Sequence, residues 1–152
     1  MGPLRAAALA LVALAFVAGC GSVTVSPPAP TPADFTGIAT ELTKRGLVLD
    51  RLVSGDAGCE DSTLIPTAIG FDAKGLDQRD PVRLRIYIFR NRDAFDRLRT
   101  RVDMCARAFV TDPESYETVE DSPYVLAAQG PWGPQFKAAV EESLKVAAGT
   151  GD

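Results

Sequence analysis

The chain has 152 residues, 46% apolar and 24% charged, with a formal net charge of −4 and no histidine. That is the composition of a single globular domain, and a mildly acidic one has no overall electrostatic attraction for nucleic acid. The missing imidazole excludes Ser-His and Cys-His catalysis and removes the commonest general base and zinc ligand.

At the N-terminus, Met1 to Arg5 offers one basic side chain and the free amine, and Ala6 to Ala18 is an unbroken apolar run of 13 residues. As a helix this run would reach about 20 Å, short of the roughly 30 Å hydrocarbon core of a bilayer but suited to the apolar part of a signal peptide. Small residues then precede a cysteine in Val17-Ala18-Gly19-Cys20. This stretch resembles the lipobox of bacterial lipoproteins. The resemblance implies that residues 1–19 are a lipoprotein signal peptide, that Cys20 receives a diacylglyceryl thioether, and usually that its new amine is acylated. It implies an address too: the extracytoplasmic face of the cell membrane, with the lipid bilayer as a partner through Cys20. Two or three acyl chains at ~0.8 kcal/mol per buried methylene anchor durably where one would be marginal. The plainer reading is an ordinary secretory signal with Cys20 incidental. Without residues 1–19, and so without Arg5, the remainder sits near −5.

Residues 20–32 read as a tether, small residues followed by Pro27, Pro28, Pro30 and Pro32. Prolines this dense favour extended polyproline II, and a dozen residues at ~3.1 Å each span up to roughly 35–40 Å. The single domain is expected over 33–149. Thr31 as N-cap and Pro32 in the first turn predict a helix start, with Phe35, Ile38, Ala39 and Leu42 on one face and Gly46 ending it. A strand is expected over 47–53 and a turn over 54–58. A second strand is expected over 64–71, with Ile65, Ile69 and Phe71 on one face and Pro66 marking an edge or a bulge. Asp72-Ala73-Lys74-Gly75 reads as a turn.

Residues 81–90 carry the clearest strand pattern, Val82, Leu84, Ile86 and Ile88 alternating with Arg83, Arg85, Tyr87 and Phe89. Asn91 then caps a helix with Phe95, Leu98, Val102, Cys105 and Phe109 on one stripe. One or two strands are expected in 116–129, the best at 124–128. Gly133-Pro134 opens a last helix with Phe136, Val140, Leu144 and Ala147 inward. The order α-β-β-β-α-β-α predicts an α+β fold: a mainly antiparallel sheet with helices packed on one face.

With Cys20 assigned to lipid, Cys59 and Cys105 form an even pair that reads as a disulfide in an extracytoplasmic domain; separate buried thiols are the alternative. Arg83, Arg85 and Tyr87 share one strand face, close to several arginines of the following helix, and form a candidate binding surface for a partner. The competing expectation is a solvated, self-paired face, because Asp93, Asp96 and Asp103 alternate with those arginines. Trp132, in a Gly-Pro-Trp-Gly-Pro turn, is either an exposed anchor for a partner or a cap on the core. Acidic clusters around Glu60, Asp72 to Asp80 and Glu114 to Asp121 match no calcium-loop pattern, and no nucleotide-binding or nucleophile-elbow motif is present. No cofactor and no nucleic-acid partner are expected. The function expected is that of a membrane-anchored lipoprotein serving as a binding or interaction module, with an envelope protein as possible partner. The alternatives are an inhibitor or accessory subunit of an envelope complex, or a carboxylate- or metal-dependent enzyme.

Overall fold

Alternation in three strands organises the domain, because it gives the sheet two apolar faces. The computed structural model describes residues 35–149. Within them run helix α1 (Thr36–Lys44), strands β1 (Val48–Ser54), β2 (Ala68–Gly75) and β3 (Gln78–Ile88), helix α2 (Arg92–Ala106), strands β4 (Tyr116–Asp121) and β5 (Tyr124–Gln129), and helix α3 (Pro134–Ala148). The five strands form one antiparallel sheet in the order β1-β2-β3-β5-β4. The fold is α+β, as the sequence predicts.

Ile69, Phe71 and Ala73 of β2, Leu84 and Ile86 of β3, and Leu126 and Ala128 of β5 point to one face. There they meet Phe35, Ile38 and Leu42 of the first helical segment and Phe136, Val140 and Leu144 of α3. Phe35 tilts against Phe71 with ring centroids 4.9 Å apart. Side chains of this size contribute about 1.5–3 kcal/mol each when fully buried, so this cluster is the main source of stability. Helices α1 and α3 form the layer on this face, but the helices are not all on one side as the sequence predicts. Helix α2 lies on the opposite face, where Val102 and Cys105 join Tyr87, Phe89, Val125 and Ala127 in a second cluster. The alternate residues of β3 change from arginine to aromatic at Tyr87, and that change marks where cover by α2 begins.

Several local expectations are corrected. The start of α1 at Thr31 and Pro32 lies outside the described residues; the helix described begins at Thr36, with no side-chain cap on Phe35. Gly46 does end it, at φ +87°, a left-handed conformation that favours glycine. Residues Ile65–Thr67 form a 3-10 turn rather than the start of a strand, with Ile65 turned outward. Pro66 fits that turn, and the strand proper begins at Ala68, inside the sheet rather than at its edge. Asp72 to Gly75 is not a turn: Asp72 pairs with Asp50 on one side and Arg83 on the other, and the ladder overrides turn-like composition. The chain reverses at Leu76 and Asp77 instead.

That reversal also holds the start of α3. Both oxygens of the Asp77 carboxylate accept backbone N–H bonds at 2.9 Å, from Gln135 and Phe136, and Gln78 accepts from the Gly133 amide at 3.2 Å. A residue more than fifty positions upstream thereby satisfies the free amides of a helix whose own N-terminal Gly133 has no side chain to do so.

Candidate functional site

The structure holds a Cys59–Cys105 disulfide, Cα atoms 5.5 Å apart, pinning the loop after β1 to the inner side of α2. Cys20 lies outside the described residues. Tyr87 is fully buried, its hydroxyl donating to the Ala57 carbonyl at 2.7 Å, and burial pushes its phenol pKa far up. Trp132 is 6% exposed, packs edge-on against Phe136 and donates its indole N–H to the Gln129 carbonyl at 3.1 Å. Neither aromatic offers a surface to a partner.

Arg83 and Arg85 lie on the half of the second face that α2 leaves open. Arg83 donates from Nε and Nη2 to Asp56, at 3.1 and 2.5 Å, and from Nη1 to Asp72 at 3.2 Å and to the Arg51 carbonyl at 2.8 Å. Arg51 makes a two-donor contact with the same Asp72 carboxylate. Arg85 reaches the other oxygen of Asp56 at 3.1 Å, and its guanidinium sits 4.3 Å from the Phe109 ring centre. The arginines are therefore self-paired, but with Asp56 and Asp72 rather than with the acids of α2. On α2 itself, Arg99 bonds Asp103 and Glu120, and Arg101 bonds Asp61. With all three nitrogens of Arg83 engaged and Asp56 and Asp72 each shared by two arginines, the arginine face works as a clamp joining β1, β2, β3 and the disulfide-bearing loop.

Burial works against the charged form of Asp56, but Arg83 and Arg85 outweigh it and hold its carboxyl below the ordinary 3.8. At Asp61, burial is likewise outweighed, by the Thr63 amide and Arg101; at Asp77 the bond from the Gln135 amide leads the lowering. A depressed folded pKa means stability that is complete above the ordinary carboxylate value and is lost as pH falls through the lower folded values. With no histidine to titrate, denaturant midpoints should be level between about pH 5 and 8 and fall steeply below about pH 4. A continuous slope between pH 5 and 7 in chemical denaturation would contradict this.

A second feature, which sequence patterning missed, lies between the end of α2 and the sheet edge at β4. Here a groove of about 550 Å³ has Ala106, Val110, Pro113 and Tyr116 as its apolar lining and Arg99 and Asp103 among its polar groups. The Tyr116 hydroxyl donates to Asp103 at 3.0 Å, and burial, with the Asp103 charge beside it, pushes that phenol far up, so it serves as a fixed donor. The groove needs α2 and β4 side by side, and nothing local in the sequence brings together residues on two elements joined by a loop. The signal available was indirect: a tyrosine opening an acidic strand, facing a helix that carries arginine.

Among the described residues, no group of three or more cysteines, aspartates or glutamates is arranged to hold a metal ion, and no helix is long and apolar enough to cross a membrane. Comparison with protein-family models, with curated proteins and with solved structures finds no match to this chain.

Proposed function

We propose that the chain is a lipid-anchored lipoprotein of the extracytoplasmic membrane face, and that its domain is a binding module for another component of the cell envelope. The observation that carries the address is Val17-Ala18-Gly19-Cys20 at the end of a 13-residue apolar run. The disulfide agrees with it, since such bonds persist in oxidising compartments outside the cytosol. The open groove beside β4 supports the binding role, as do the carboxylates Asp56 and Asp72, which are bound to arginine rather than poised for proton transfer.

The anchor is tested by Cys20→Ser. In cells given a radiolabelled fatty acid, the wild-type chain should take up label and sediment with membranes. The variant should take up none and move to the soluble fraction. A variant that stays unlabelled yet remains membrane-bound would overturn the lipid anchor as the means of attachment.

A further inference from the structure

The two edges of the sheet are finished differently. At β1 the pairing with β2 slips between Asp50 and Val53, and Arg51 sits at φ +50°. A bulge of this kind, with charged residues at its centre, bends an edge away from further pairing. At β4 the register with β5 is unbroken from Tyr116 to Asp121, with no proline and no bulge. The Gly130 amide donates to the Ser115 carbonyl at 2.6 Å, so in an antiparallel ladder the backbone of alternate residues from 115 faces β5. The Tyr116 N–H is taken by the Pro113 carbonyl, so the C=O of Tyr116 and the N–H and C=O groups of Thr118 and Glu120 are the ones that face the open side. Their side chains lie on the same sheet face as α2, and Tyr116 and Thr118 line the groove.

We propose that this edge and groove bind an extended, cationic peptide segment of an envelope protein, added to the sheet as a sixth strand beside β4. The proposal rests on the reading of the domain as an extracytoplasmic binding module and names the partner chemistry of its site. Strand addition supplies main-chain hydrogen bonds along Tyr116 to Glu120, and alternate side chains of the guest enter the groove. The groove accepts their apolar parts on Ala106, Val110 and Pro113. Charge sets the preference. Around the groove and along the strand stand the carboxylates of Asp103, Asp112, Glu114, Glu120 and Asp121, against the guanidiniums of Arg99 and Arg107. Arg99 is paired with Asp103 and Glu120, so the excess negative charge rests chiefly on Asp112, Glu114 and Asp121 against Arg107. A lysine-rich strand meets complementary charge there, and a glutamate-rich one meets repulsion.

The test uses the full lipoprotein in detergent micelles and two labelled eight-residue probes, one alternating Lys and Val, the other Glu and Val. Fluorescence anisotropy should show the lysine probe binding at least tenfold more tightly. Thr118→Pro removes an outward N–H without breaking the ladder to β5, and should weaken binding more than tenfold at an unchanged melting temperature. Glu114→Lys with Asp121→Lys should weaken it severalfold. Should Thr118→Pro lower the melting temperature, hydrogen exchange on the wild-type chain decides instead. The lysine probe should slow exchange at the amides of Thr118 and Glu120 and leave β1 unaffected. Equal binding of the two probes, no binding of either, full binding to a folded Thr118→Pro variant, or protection at β1 would each overturn the proposal. Peptide binding and membrane fractionation are separate readouts. A wild-type chain that takes up no fatty acid, with the peptide result intact, would sink only the anchor, and the reverse only the strand-addition site.

Discussion

Gly70→Ala should destabilise the domain by about 3 kcal/mol, although it adds a single methyl group. Gly70 lies in mid-β2 on the side that faces Arg83, and a Cβ there would collide with the Asp56 carboxylate and come within 2.7 Å of the Arg83 guanidinium. No space is available by a simple rotamer change, because Asp56 is held by two arginines and Arg83 by two aspartates. The methyl group must push apart an ion-pair network of partly buried side chains around the buried Asp72. Overpacking alone costs about 1–3 kcal/mol, and separating a buried pair costs about 3–5, so a partial opening falls between them. Urea denaturation of wild type, Gly70→Ala, Asp56→Ala and the double variant would measure it. The double variant should be markedly less unstable than the sum of the two singles, because Asp56→Ala removes what the new methyl strikes. A Gly70→Ala variant within 0.5 kcal/mol of wild type would show that the network yields freely.

The second large effect concerns the disulfide. Cys59→Ala, Cys105→Ala and the double variant should each lose about 4 kcal/mol, the loop-closure entropy for a sequence separation of 46 residues. Alanine is the better replacement at position 105, since that side chain is only 4% exposed and serine would bury a hydroxyl. The bond also fixes the loop that carries Asp56, so its loss should loosen the arginine clamp as well. Reductant should move the urea midpoint of the wild-type protein to that of the double variant and leave the variant unchanged. Coincident midpoints for oxidised and reduced wild type would refute the stabilising role.

Elements whose pattern is local were legible in the sequence. The alternation at Val82 to Ile88 marks β3, the stripe of Phe95, Leu98, Val102 and Cys105 marks α2, and Asn91 caps that helix by accepting from the Ala94 amide at 2.9 Å. Features fixed by partners far along the chain were not legible. Asp72-Ala73-Lys74-Gly75 has the composition of a turn, and only its pairing on both sides makes it strand. Arg83 and Arg85 read in the sequence as a candidate binding surface, and only the sheet delivers Asp56 to them from 27 and 29 residues upstream. The ambiguity at Trp132 has the same origin, because the turn alone does not reveal that Phe136 and the Gln129 carbonyl hold the indole.

Helices α1 and α3 are the first and last elements described, yet they lie against each other beneath the same half of the sheet. A core sealed by its two ends closes only once both are present. A chain delivered N-terminus first leaves Phe35 and Phe71 uncovered until Phe136, Val140 and Leu144 arrive. Early segments therefore have little to gain from folding ahead of the rest, which favours all-or-none closure over stepwise growth. On the route of export that we propose, such lateness would suit a polypeptide threaded as an open strand through a narrow passage, because nothing compact forms behind the entrance to block it.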